Sequence, residues 1–74
     1  MDKNLDLIIS ENIKREIEQS GIKKSEIALA LGVSRATVSQ YLSGRAQPTL
    51  ANLSKLCNIL DCSADDILCV KRGE

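Results

Sequence analysis

The sequence predicts an all-α protein of five short helices, and three observations carry this prediction. Apolar residues recur at helical spacing in several segments, and glycines, one proline and capping residues separate those segments. Alternating runs of β-branched or aromatic residues, which mark strands, do not occur. The 74 residues suffice for one domain with a small core. We expect a single domain over residues 1–74, with its core at about 5–69 and a frayed tail at 70–74.

The first helix is predicted over residues 4–20. Its apolar stripe consists of Leu5, Ile9, Ile13 and Ile17, with Ile8 beside it. Charged side chains fill the other side, which makes the helix amphipathic. We therefore expect Ile8, Ile13 and Ile17 in the core, and we expect Gly21 to end the helix.

A tight turn between two short helices is predicted within residues 24–42. Ala28 is small enough to let two helix backbones approach, and Gly32 permits the positive φ that ends the first of these helices. Val33 and Val38 then close the corner by apolar contact. The pattern is that of a helix-turn-helix.

The second helix of this pair is predicted over residues 35–42, with Ser34 as its N-cap. The helical period then leaves Arg35, Ala36 and Gln40 on the outward face. These three side chains are the candidates for chemistry on this helix.

Two more helices are predicted after the loop at residues 43–48. Thr49 is a good N-cap for a helix over 50–60, whose apolar stripe we expect to pack on the first helix, with Leu53 and Leu60 in the core. The run 63–66 resembles a capping box with aspartate in place of glutamate or glutamine. It predicts a short fifth helix that continues through Cys69.

The formal net charge is zero, which taken alone argues against a nucleic-acid partner. The distribution of charge reverses that argument, because residues 21–55 contain five bases against the single acid Glu26, a net charge of +4. The rest of the chain carries −4. We therefore predict one basic and one acidic face, although chance clustering on an ordinary solvated surface is the alternative.

The three cysteines, Cys57, Cys62 and Cys69, are odd in number, and no histidine completes a common zinc set. We predict no metal and no other cofactor. Cys57 and Cys62 are expected to be small buried hydrophobic residues, while Cys69 near the C-terminus is a candidate for exposure.

A series of motifs in the chain follows a familiar order and spacing. They are Gly21-Ile22, Ala28, Leu31-Gly32-Val33-Ser34, Gly44, Pro48-Thr49-Leu50 and Leu60-Asp61-Cys62-Ser63. Together they resemble the lambda-repressor/Cro-like helix-turn-helix family, also called the XRE family, over residues 9–69. The resemblance implies a compact five-helix DNA-binding domain.

The resemblance also implies roles for particular residues. Lys24 takes the place of a glutamine that contacts the DNA backbone, and Arg35 and Ala36 take the first two base-reading places. Arg35 is suited to guanine, Gln40 to adenine and Ala36 to a thymine methyl group. Arg45 is assigned to phosphate or the minor groove. The predicted DNA-binding set is Lys23, Lys24, Ser34, Arg35, Ala36, Thr37, Ser39, Gln40 and Arg45.

Two positions depart from the family pattern. Asp61 stands where glycine is common, so this residue either adopts a left-handed conformation or the turn differs. Leu42 stands where relatives often have a polar residue. It is either covered by the loop at Gly44 or exposed as part of a partner surface.

These features predict a sequence-specific regulator of transcription, most simply a repressor, that binds double-stranded DNA at an inverted repeat. Because one recognition helix covers only a few base pairs, a homodimer is expected. Apolar residues of the fourth and fifth helices and the tail are the expected dimer surface, namely Leu56, Ile59, Leu68 and Val70. The alternative is a protein-interaction module, such as an antitoxin or adaptor, whose partner docks near Leu42 and Leu68.

An enzyme is not predicted, because the sequence contains no histidine, no metal-ligand spacing and no phosphate-binding glycine loop. No small-molecule ligand is expected. The N-terminus lacks the pattern of a signal peptide and no run is apolar enough for a membrane span, so we expect a cytoplasmic protein without a membrane partner.

Overall fold

The computed structural model describes the backbone of residues 2–68 and the side chains of residues 5–68. Within this part of the chain all regular structure is helical. The helices are α1 (Asp2–Ser20), α2 (Lys24–Leu31), α3 (Arg35–Ser43), α4 (Leu50–Leu60) and α5 (Ala64–Leu68). The prediction of five helices is confirmed, with α1 beginning two residues earlier and α3 ending one residue later than expected. The predicted end of α5 at Cys69 and the predicted tail at 70–74 lie outside the described residues.

Several helix ends are formed by the residues that the sequence indicated. Thr49 caps α4 by accepting a hydrogen bond from the backbone N–H of Asn52 at 3.1 Å. Ser63 and Asp66 form the predicted capping box, with each side chain accepting from the other residue's backbone N–H, at 3.4 and 3.1 Å. Asp61 ends α4 in the left-handed conformation, with φ of 55°. Of the two alternatives for this residue, the left-handed conformation is therefore confirmed.

The core draws residues from all five helices. Its buried members are Ile13, Ile17, Ile27, Ala28, Leu31, Val38, Tyr41, Leu53, Leu56, Leu60 and Ile67. The expected burial of Ile13, Ile17, Leu53 and Leu60 is confirmed. Cys57 and Cys62 are half-buried and pack against this core, as does Leu42, so packing accounts for the apolar side chain at position 42.

The expectation that Ile8 lies in the core is wrong. Leu5 and Ile8 retain 47% and 42% of their exposure. Both residues precede Asn12, the residue of α1 that hydrogen-bonds to Ile67 of α5. The expected dimer surface also needs correction, because Leu56 is fully buried.

The packing partners of α4 differ from the prediction. This helix packs chiefly on α2 and makes a smaller contact with α1, whereas α1 packs mainly on α3 and α5. A buried polar contact fixes α1 to α5, since Asn12 Nδ2 donates to the Ile67 carbonyl at 3.0 Å. Arg15 reinforces it by donating to Asn12 Oδ1 at 2.9 Å and to the Asp66 carbonyl at 3.3 Å. The last helix is therefore tied to the first by hydrogen bonds as well as by apolar burial.

Candidate nucleic-acid interface

The turn between α2 and α3 sets the orientation of α3 relative to α2. Gly32 adopts the left-handed conformation with φ of 74°, and its N–H and that of Val33 reach back to the last carbonyls of α2. The Val33 N–H donates to the Ala28 carbonyl at 3.0 Å, which completes the Schellman type of helix end. Ala28 is buried at this crossing. The predicted corner is confirmed in each of these features.

Ser34 begins α3 as its N-cap, because its Oγ accepts the backbone N–H of Thr37 at 3.1 Å. The two hydroxyl oxygens also lie 3.0 Å apart and share a hydrogen bond. Thr37 is half-buried beside the cap. The hydroxyls of both residues therefore take part in the start of α3.

One face of α3 is exposed and the opposite face is buried. Val38 and Tyr41 point into the core, while the solvent face presents four side chains of the predicted set: Arg35, Ala36, Ser39 and Gln40. Their spacing places them along one side of the helix over two turns. Among the described residues, the Arg35 and Gln40 side chains have no hydrogen-bonded or ionic partner. Their donors are available to a ligand.

Arg45 lies directly beyond the end of α3. Gly44 ends the helix with φ of 84°, and the N–H of Arg45 donates to the Gln40 carbonyl at 3.0 Å. This bond places the backbone of Arg45 against the last turn that carries Gln40. The Arg45 side chain is exposed.

Lys23 and Lys24 lie at the start of α2 and are both exposed. Glu26, the nearest acid, uses its carboxylate to accept the Lys23 backbone N–H at 3.2 Å and so caps the helix. No acidic residue occurs between Glu26 and Asp61 in the sequence, so α3 and its flanking turns carry only positive charge. The ion pair found in the described part of the chain joins Arg15 and Glu16 at 3.2 Å and leaves these cations unpaired.

Asp6 and Gln47 were not among the residues predicted for this site. Gln47 Nε2 donates to Asp6 Oδ1 at 2.9 Å, which ties the loop after α3 to the first helix. No local signal could have found this contact, because the two residues are 41 positions apart.

The side chains described between residues 5 and 68 form no cluster of three or more potential metal ligands. No helix in the same range combines the length and apolar character required to cross a bilayer.

This protein is a five-helix helix-turn-helix domain. Three features define the class: the left-handed turn at Gly32, the Ser34 cap of α3 and an exposed face of α3 without acids. The chain belongs to the helix-turn-helix family of the XRE, or lambda-repressor/Cro-like, type, because the sequence model of the family described as Helix-turn-helix matches residues 13–67.

Two curated relatives come from Bacillus subtilis (strain 168). The SPbeta prophage-derived uncharacterized HTH-type transcriptional regulator YonR is 34% identical over 61 residues, covering 82% of this chain and 56% of YonR. The uncharacterized HTH-type transcriptional regulator YqaE is 33% identical over 61 residues, covering 82% of this chain and 53% of YqaE. The chain therefore spans about half the length of these relatives. No solved structure matches significantly.

Proposed function

We propose that this protein is a sequence-specific DNA-binding regulator of transcription that inserts α3 into the major groove. The observation that carries the proposal is the exposed face of α3, where Arg35 and Gln40 have no partner within the described part of the chain. Membership of a family whose curated relatives are named transcriptional regulators supports it. We propose the cytoplasm as its place of action, because a regulator of transcription has to reach the DNA that it binds.

Base reading follows from the chemistry of the side chains on α3. The Arg35 guanidinium is a planar fork that matches O6 and N7 of guanine, and the Gln40 amide matches N6 and N7 of adenine. Ala36 offers a methyl group to the methyl group of thymine. The exposed Ser39 hydroxyl lies on the same face and adds a short donor or acceptor.

The remaining cations supply affinity rather than sequence preference. Lys23 and Lys24 contact phosphates from the start of α2, and Arg45 contacts a phosphate or the minor groove beside α3. These contacts release counterions, so DNA affinity falls as the salt concentration rises. Ser34 and Thr37 support this arrangement through the helix cap.

We infer further that the protein acts as a homodimer on an inverted repeat and represses transcription by occupying a promoter. One recognition helix reads only a few base pairs, and two copies double the number of base contacts. On an inverted repeat the two copies would lie about 34 Å apart, one turn of DNA.

The first experiment selects bound duplexes from a random DNA pool with the purified protein at moderate salt. We expect an inverted repeat whose half-site centres are about 10–11 base pairs apart. Arg35→Ala and Gln40→Ala should each lose about 1–3 kcal/mol of discrimination at one base position per half-site.

Lys55→Ala is the matched control, because it also removes a positive charge, from an exposed position on α4. It should weaken binding slightly and uniformly without changing the selected sequence. An unchanged wild-type preference in both Arg35→Ala and Gln40→Ala would refute reading by α3. Failure of the wild-type protein to enrich any duplex would refute DNA binding as its function.

A further inference from the structure

The loop that carries Arg45 is held by two different helices. On one side, the N–H groups of Gly44, Arg45 and Ala46 converge on the Gln40 carbonyl, the last two at 3.0 and 3.3 Å. On the other side, Gln47 donates to Asp6 of α1 at 2.9 Å. Arg45 therefore lies on a short stretch of backbone fixed at both ends.

Helix α1 also forms the surface beneath this loop. A Cβ atom built on Gly44 would lie 3.4 Å from Ser10 Oγ and 3.6 Å from Leu7 Cδ2, so the loop backbone passes close to α1. Ser10 is itself buried and donates its hydroxyl to the Leu7 carbonyl at 2.9 Å. The loop thus packs against α1 at Gly44. The hydrogen bond from Gln47 to Asp6 is a second, directional contact between the loop and α1.

The negative charge of Asp6 is unfavourable next to a loop that is proposed to face DNA. The loop belongs to a stretch without acids from 27 to 60, and the tertiary structure brings a carboxylate to it. A carboxylate repels phosphate, so a purely electrostatic account predicts that removing Asp6 strengthens DNA binding. A benefit from Asp6 can only be geometric.

We propose that Asp6 is a positioning residue for DNA recognition, which holds Gln47 and thereby orients the loop segment that presents Arg45. This inference rests on the proposed function for its effect on DNA. The orientation of the loop in the free protein is independent of DNA and can be measured separately.

The test compares Asp6→Asn with Asp6→Ala. Both variants remove the negative charge, but asparagine keeps a carbonyl oxygen that accepts from Gln47. Asp6→Asn should bind the selected duplex at least as tightly as the wild type. Asp6→Ala should bind about two- to tenfold more weakly than Asp6→Asn, the range expected for one hydrogen bond.

A double-mutant cycle links this effect to Arg45. In an Arg45→Ala background the difference between the two Asp6 variants should vanish, because the loop no longer presents the group that it positions. Glu11, another exposed acid of α1, is the matched control, and Glu11→Ala and Glu11→Gln should bind DNA equally. Equal binding by Asp6→Ala and Asp6→Asn, or a difference that persists without Arg45, would overturn the proposal.

Limited trypsin cleavage after Arg45 in the free, full chain supplies the measurement that needs no DNA. Asp6→Ala and Gln47→Ala should be cleaved faster than the wild type and Asp6→Asn, since the loop opens locally. Equal cleavage rates in all variants would show that Asp6 does not hold the loop. A wild-type protein that prefers no duplex would instead refute the proposed function, while the cleavage rates would still decide whether Asp6 positions the loop.

Discussion

Arg35 and Gln40 show that the exposed face of a helix can be predicted from sequence. Both lie on the solvent face of α3, because the helical period separates them from Val38 and Tyr41 on the buried face. Ser34 was predicted as a cap and as a candidate for DNA contact. The structure confirms the cap, because the Ser34 oxygen accepts the backbone N–H of Thr37. Only the hydrogen-bond geometry shows this contact.

Cys62 is a second residue whose chemistry depends on its surroundings. Partial burial raises the pKa of its thiol from 9.0 to about 12, and the neighbouring Cys57, Glu16 and Asp66 add to the rise. These neighbours come from α1, α4 and α5, so the effect is a product of packing. At neutral pH the thiol is protonated and therefore a poor nucleophile.

We expect alkylation of Cys62 by iodoacetamide to remain slow up to about pH 10 in the folded protein and to become fast near the ordinary thiol pKa in the unfolded chain. Folding favours the protonated thiol, so its contribution to stability is complete below the unfolded pKa and is lost as pH rises towards the folded pKa. Mass spectrometry of the Cys62 peptide across pH measures the rate. A half-maximal rate near pH 9 in the folded state would contradict this expectation.

At the scale of elements, α3 and α4 begin with the same device. Ser34 and Thr49 each accept the backbone N–H of the residue three positions on, both at 3.1 Å. Only α3 carries the proposed base-reading face. The two caps therefore form a matched pair that separates stability from recognition.

Ser34→Ala and Thr49→Ala should each lower the free energy of unfolding by about 0.5–2 kcal/mol, the usual cost of losing an N-cap. Ser34→Ala should in addition weaken specific DNA binding, because the first turn that holds Arg35 frays. Thermal denaturation gives the stability, and titration with the selected duplex well below the melting temperature gives the affinity. Equal DNA affinities for the two variants would show that the cap does not organise the reading face.

Helix α1 is the element that the sequence described least well. Its apolar spacing predicted a helix correctly, but the same spacing could not tell how far the neighbouring helices extend along it. The contact between Asn12 and Ile67 joins α5 to α1, and Leu5 and Ile8 precede Asn12 in the chain. Burial at those turns depends on how the other helices pack against α1, which the spacing within α1 does not specify.

For the whole molecule, the division of charge is the property most relevant to its proposed partner. The net charge of zero conceals +4 over residues 21–55, which include α2, α3 and the loop with Arg45. Such a distribution permits attraction to DNA on one side without making the whole protein strongly basic.

The proposed homodimer is tested by sedimentation equilibrium of the protein with duplexes that carry one or two half-sites. We expect two chains on the inverted repeat, with tighter binding to the repeat than to the single half-site at equal salt concentration. One chain on both duplexes at saturating protein would refute the dimer. Equal affinity for the two duplexes would show that the second half-site is not read.

The sequence by itself determined the five helices, the caps at Ser34, Thr49 and Ser63, the turn at Gly32 and the outward face of α3. Each of these depends on hydrogen bonds and side-chain spacing within about one or two turns, so local residue types suffice to specify them. Only the tertiary structure decided the exposure of Leu5 and Ile8 and the contacts Asp6–Gln47 and Asn12–Ile67. Those contacts join residues 41 and 55 positions apart, and their formation depends on how whole helices pack.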